Sequence, residues 1–189
     1  MTDRDHRVLD AAIVVFARYG PRKATMGDIA EQAGISRQTL YARYANKAEI
    51  MVAAMELISE RVVESVSDAW KDASSIGECI DIFLDLAISR FFDQIRQMPD
   101  ASDLLTGHSE GARAVQAIAD KTKVRLLSEL FETRAEMLTS RGSSPREFAE
   151  FFYSSASTFK FTARDSAHLR QLLATLKQTT MFMLGEAHA

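Results

Sequence analysis

Apolar residues recur along this chain at intervals of three and four and almost nowhere alternate, so the pattern predicts helices throughout. Val8, Leu9, Ala12, Ile13 and Phe16 stripe a first helix, opened by Thr2 with Asp5 and closed at Gly20-Pro21. A capping residue with an acid three positions on satisfies orphan amide donors at a helix start, and the device repeats. Thr25 with Asp28 opens a short second helix bearing Met26, Ile29, Ala30 and Ala33, which stops at Gly34. Ser36 begins a third helix of about eight residues, with Leu40 and Tyr44 turned inward. Asn46 with Glu49 opens a long fourth helix striped by Ile50, Ala54, Leu57, Ile58, Val62, Val66 and Trp70. No glycine or proline interrupts it between residues 47 and 76, so it links a head to a body.

The body continues the pattern. Ser75 with Glu78 starts a fifth helix (Ile80, Phe83, Leu84, Ala87, Phe91, Ile95) that ends before Pro99. Pro99, Gly107 and Gly111 leave room for only a short helix in residues 99–111, and one long helix is expected from Ala112 to Arg141. Ser144-Pro145-Arg146-Glu147 supplies a cap, a first-turn proline and an acid for an eighth helix. The last helix begins near Asp165 and stops at Gly185.

Composition narrows the function classes. At 189 residues, 47% hydrophobic and 26% charged, the chain can bury a substantial core, and global disorder is excluded. Three prolines and eight glycines are too few for an all-β fold, which needs a turn every strand. The longest apolar run, Ala11 to Ala17, is far short of a membrane helix. The opening Met-Thr-Asp-Arg-Asp-His-Arg shows no signal-peptide pattern, and one cysteine allows no internal disulfide, so a cytoplasmic location with no membrane partner is expected. His6, His108, His168 and His188 are scattered, and neither H-x-x-x-H nor C-x-x-C occurs; no metal site and no cofactor is expected. Residues 1–50 carry eight basic and six acidic side chains, against fifteen and twenty in the remainder, and a basic head on an acidic body suits a polyanion-binding end.

The informative segment is Thr25 to Lys47. A helix-turn-helix needs a small residue where its second helix crosses the first, and Ala30 supplies it. Four residues on, the turn needs positive φ, which Gly34 provides; six further, Leu40 anchors the second helix. With Leu40 and Tyr44 inward, a rotation of 100° per residue turns Gln38 and Ala42 outward, beside Thr39 and Tyr41, with Arg37 and Arg43 at the edges. Such a helix fits a major groove, where Gln pairs with adenine, Arg with guanine, and a methyl with thymine. Lys47 and Thr25, with the amides at the helix start, suit phosphate contacts.

Thr25…Ile29-Ala30…Ala33-Gly34-Ile35-Ser36…Thr39-Leu40-Tyr41…Tyr44…Lys47, preceded by Phe16-x-x-x-Gly20 and Ala24, resembles the signature of tetracycline-repressor-type (TetR family) transcriptional regulators over roughly residues 8–50. The resemblance implies an all-α, nine-helix, two-domain regulator: a helix-turn-helix head in residues 1–47 (motif 25–44) and a ligand-binding and dimerisation body in 48–189. It implies that Tyr41 and Lys47 meet the DNA backbone while Arg37, Gln38, Thr39 and Arg43 read or flank bases. The family more often has Phe at the position of Tyr44, and a side chain at Gly27, where glycine costs a helix about 1 kcal/mol.

For the body the resemblance implies a homodimer through the last two helices and a pocket for a small-molecule effector. Phe148, Phe151, Phe152 and Phe159, with Leu169, Leu172, Leu176 and Met183, are the expected interface, more apolar surface than one thin body covers. Phe83, Phe91, Phe131 and Met137 are candidate pocket lining, with Arg90, His108 or Ser89 as polar anchors. The partner is then a palindromic double-stranded operator, from which the effector releases a repressor. A constitutive DNA binder without effector is one alternative. Gly107-His108-Ser109-Glu110-Gly111 offers another, since it matches the hydrolase nucleophile elbow; that motif needs a strand-to-helix turn, which this sequence does not signal. Cys79 fits either buried packing or a redox sensor, and its place beside Ile80 favours packing.

Overall fold

A computed structural model describes residues 3–97 and 110–186, and all regular structure among them is helical, with no strand. The helices are α1 (Asp3–Lys23), α2 (Met26–Gln32), α3 (Arg37–Tyr41), α4 (Lys47–Trp70), α5, α6 (Glu110–Glu132), α7 (Ala135–Ser140), α8 (Pro145–Thr162) and α9 (Ser166–Met183). Helix α5 comprises Ile76–Leu84, a π turn Asp85–Ser89 and Arg90–Gln97. Most of the short helix expected in residues 99–111 lies outside the described residues.

Two compact units share the described residues, 3–60 with 94–97 and 110–119 in one and 61–93 with 120–186 in the other, so the chain passes between them inside α4, α5 and α6. The head packs Val8, Leu9, Ala12, Val15 and Phe16 of α1 against Ile29 and Ala30 of α2 and Leu40 of α3. Ile50, Ala54 and Leu57 of α4 complete this core, so it extends well past residue 47, where the sequence suggested the head would end. Gly20, at φ 77°, breaks the coil of α1 before Pro21, a backbone turn that an L side chain resists.

The body packs Val66 of α4, Ile80, Phe83 and Ile88 of α5, Leu127 and Phe131 of α6, Phe148 and Phe152 of α8, and Leu169 and Leu173 of α9. Phe131 contacts Phe148 at 5.3 Å and Phe152 at 5.8 Å between ring centroids, and Phe83 contacts Phe152 at 6.2 Å; such tilted and edge-on pairs suit the ring quadrupoles.

Three elements differ from expectation. The single helix expected over 112–141 is broken at Thr133-Arg134, where the Thr133 hydroxyl donates to the Leu130 carbonyl at 2.8 Å and Arg134 forms an ion pair with Glu186 at 2.6 Å. Helix α3 is shorter than predicted, although the Tyr44 amide still donates to the Leu40 carbonyl at 3.0 Å and carries the coil onward. In α5 the Arg90 amide reaches back five residues to the Asp85 carbonyl, and its guanidinium pairs with the Asp85 carboxylate at 2.9 Å. That five-residue reach matches a π turn and is invisible to a 3.6-residue template.

Candidate functional site

The head's second and third helices meet through a turn closed by two hydrogen bonds: Gly34 donates to the Glu31 carbonyl at 3.1 Å and Ile35 to the Ala30 carbonyl at 3.0 Å. This six-to-one closure needs a left-handed residue, and Gly34 holds φ at 66°. Leu40 is fully buried and fixes α3 against α2 over the buried, small Ala30. Both ends are capped. Thr25 and Asp28 exchange side-chain and backbone bonds (Thr25 amide to Asp28 Oδ2, 2.9 Å; Asp28 amide to Thr25 Oγ1, 3.2 Å), and Ser36 Oγ accepts from the Thr39 amide at 3.0 Å.

With Leu40 spent inward, α3 presents Arg37, Gln38, Tyr41 and Ala42 to solvent. Tyr41 is 52% exposed, unusual for an aromatic side chain on a five-residue helix unless something covers it. The remaining sequence candidates are already engaged. Thr39 Oγ1 lies 2.8 Å from Ser36 Oγ, inside the cap. Arg43 forms an ion pair with Asp5 of α1 at 2.6 Å. Tyr44 is half-buried, and burial together with the Asp5 carboxylate raises its phenol above the ordinary range, so it is neutral at physiological pH. Thr25 is exposed at the start of α2, its hydroxyl also donating to Asp28 at 2.7 Å.

Lys47 differs most from its expected role. Its ammonium donates to three backbone carbonyls, of Pro21 at 2.6 Å, Ala24 at 2.7 Å and Arg22 at 3.1 Å. These carbonyls lie at the end of α1 and in the connection to α2, where helix carbonyls lack amide partners and a cation is favoured. Lys47 therefore ties the first residue of α4 to the α1–α2 connection. Sequence spacing placed this lysine correctly but could not show which way it points. The Asp5–Arg43 pair, thirty-eight positions apart, carried no sequence signal either.

The bare position at Gly27 has a neighbour that explains it. A Cβ at residue 27 would fall 2.5 Å from Nη2 of Arg37, because the guanidinium lies against the glycine. The missing side chain gives Arg37 its seat, at the N-terminal end of α3.

In the body the candidate pocket residues separate. Phe83 and Phe131 are fully buried members of the aromatic core, and Arg90 is a surface residue paired with Asp85. Met137 is 37% exposed and packs against Gly185; His108 lies outside the described residues, and Phe91 is half-buried. Of the expected interface, Phe148, Phe152, Leu169 and Leu176 are buried within the single chain, and Phe159, Leu172 and Met183 pack partly against its core. Phe151 stands out at 54% exposure, joined by Phe161 at 51% and Phe182 at 66%, two residues the sequence reading passed over. Cys79 is buried, its carbonyl accepting from the Trp70 indole at 2.8 Å, and burial raises its thiol pKa, which removes thiolate character. Ser109 of the elbow-like motif lies outside the described residues. Among the described residues no cluster of ligating side chains could hold a metal ion, and no helix is long and apolar enough to cross a membrane.

Comparison with known proteins places this head. Residues 8–54 match the family model for bacterial regulatory proteins of the tetR family. The transcriptional repressor SCO4008 of Streptomyces coelicolor is 32% identical over 79 residues, 42% of this chain and 40% of that protein. The transcriptional activator FasR of Mycolicibacterium smegmatis is 30% identical over 93 residues, 49% of this chain and 41% of that one. The chain thus spans less than half the length of these curated relatives. The solved structure of the regulator FadR from Bacillus subtilis in complex with stearoyl-CoA aligns over 97% of this chain and 99% of that one, with TM-score 0.61 and 19% identity. That likeness concerns the fold.

Proposed function

We propose that this protein, whose residues 8–54 match the family model for bacterial regulatory proteins of the tetR family, is a sequence-specific DNA-binding transcriptional regulator, a repressor released from a palindromic operator by a small-molecule effector. One observation carries the reading: a helix pinned by Leu40 and Gly34 that offers Arg37, Gln38 and Tyr41 to solvent. In the major groove Gln38 reads an adenine edge and Arg37, seated on Gly27, a guanine; Tyr41 meets the phosphate backbone. Thr25 supplies a further phosphate contact at the start of α2. Thr39, Arg43 and Tyr44 hold the reading helix in place, and Lys47 supports it through the α1–α2 connection.

The test is selection of bound fragments from a random duplex library, followed by affinity measurements on the recovered site. Gln38→Ala should relax preference at one base position by about 1–3 kcal/mol. Uniform weakening on every sequence would remove Gln38 from the reading role.

Two copies suit a palindrome. The exposed Phe151, Phe161 and Phe182 on α8 and α9 are the surface a second copy covers, as their exposure in one chain suggests. Effector binding is supported by the ligand in the Bacillus subtilis FadR neighbour. A ligand that prefers one packing of the body biases α4 and so the head, by no more than its differential affinity for the two states. No catalytic role is assigned to the chain. Purified protein should cleave simple esters no faster than its Ser109→Ala variant.

A further inference from the structure

The phosphate contacts assigned to the head so far carry no positive charge. Thr25 and Tyr41 are neutral, whereas the affinity of a protein for duplex DNA comes largely from cations that displace counterions from phosphates. Residues 1–50 hold eight arginines and lysines, but most are already engaged. Lys47 is taken up by three backbone carbonyls and Arg43 by the Asp5 carboxylate. Arg22 and Lys23, in the last turn of α1, each have an interaction within the protein. Arg18 lies over the ring of Tyr19, 5.9 Å from its centroid, and Arg37 rests on Gly27. Arg7 is different: it is exposed on α1 and has no hydrogen bond or ion pair to any described residue.

Its place in the head matters as much as its charge. Two flanks border the outward face of α3. On one, Arg37 and Tyr41 lie toward the start of α2, where Arg37 meets Gly27. On the other, Thr39 and Arg43 lie toward the first turns of α1, and the Asp5–Arg43 pair ties the two together. A helix in a major groove is walled by one phosphate backbone on each side. Thr25 and Tyr41 serve the first wall, and α1 faces the second. There Asp5 neutralises Arg43, and Arg7 supplies charge of its own. Arg7 also shares with Val8, Ala33, Gly34 and Ile35 a recess of ≈ 290 Å³ beside the turn that leads into α3. No atom lies within 4 Å of where a Cβ of Gly34 would sit, so the recess is open at the turn.

We infer that Arg7 binds a DNA phosphate on the strand opposite the one Tyr41 meets, so that α1 and α2 hold both walls of the groove around α3. The inference rests on the DNA-binding reading above and adds to it a charged anchor that is indifferent to sequence. A guanidinium suits the task because its planar fork matches two phosphate oxygens at once.

The experiment uses the full chain and the duplex recovered by selection, with affinity measured between about 50 and about 200 mM salt. Arg7→Gln should leave the melting temperature nearly unchanged, since the side chain is exposed. It should bind every sequence about tenfold more weakly at about 0.1 M salt, and lose about 0.9 per bound head from the slope of log affinity against log salt. Arg7→Lys, which keeps the charge, should retain that slope, and both variants should keep the wild-type base preference. Replacing single phosphates by neutral methylphosphonates then locates the contact. One position should weaken the wild type yet leave Arg7→Gln unaffected, and it should lie on the strand opposite the position that is silent in Tyr41→Phe. An unchanged slope or an altered base preference in Arg7→Gln would overturn the anchor. So would methylphosphonates that weaken variant and wild type alike at every position, or a silent position on Tyr41's own strand. If the wild type recovered no preferred duplex at all, the DNA-binding reading itself would fall, and the anchor with it.

Discussion

Gly27 and Lys47 show how far a single side chain, present or absent, sets the head. Gly27→Ala should raise the melting temperature modestly, since alanine gains about 1 kcal/mol of helix propensity over glycine, but its Cβ must push Arg37 off its seat. Base preference at the position read by Arg37 should weaken while stability improves, and binding assays beside melting curves would show the two moving oppositely. Lys47→Ala should cost about 1–3 kcal/mol, toward the lower end because water can reach the three carbonyls it abandons. Operator affinity should drop on all sequences with the salt dependence unchanged, because in this geometry the ammonium neutralises protein carbonyls and no phosphate. A loss of about 0.9 from the slope of log affinity against log salt would instead return Lys47 to the DNA backbone.

Helix ends were the most legible elements, because their chemistry is local. Ser144 with Glu147 was readable as a start signal and is one: the Ser144 amide donates to Glu147 Oε2 at 2.9 Å and the Glu147 amide to Ser144 Oγ at 3.3 Å. Asp28, Glu78, Glu147 and Asp165 each accept such bonds, and each is held below its ordinary pKa, Asp28 and Glu147 chiefly by a hydroxyl and Glu78 and Asp165 by a backbone amide. A depressed folded-state value means stability that is complete above the unfolded carboxylate range and lost as pH falls through and below about 4. Denaturant midpoints should therefore decline from pH 6 to pH 3, and Ser144→Ala should flatten that decline by removing the hydroxyl's part of Glu147's share, the backbone amide's part remaining. The α6–α7 break and the π turn were not legible, because each depends on a partner distant in sequence or on a five-residue reach. At the site, periodicity alone gave the outward set Arg37, Gln38, Tyr41 and Ala42; the pairs that occupy Arg43 and Lys47 arise only when α1 and α4 come together.

For the molecule as a whole, the apolar residues of α8 and α9 divide between an internal core and an exposed face, a division that residue type alone does not reveal. Phe151→Lys combined with Phe182→Lys should leave the melting temperature of one chain nearly unchanged, because both side chains are exposed. Sedimentation should then report half the wild-type mass, and binding to a full palindrome should fall to that of a half-site. The buried core neighbours Phe148 and Phe152 behave differently: alanine at either should cost about 3–5 kcal/mol and threaten folding itself. Helix α4 belongs to both cores, giving Ile50, Ala54 and Leu57 to one and Val66 to the other. Anyone grafting this reading head onto a foreign sensor should place the splice after Glu60. A chimera joined at residue 47 would strand three apolar side chains against a surface that never evolved to receive them.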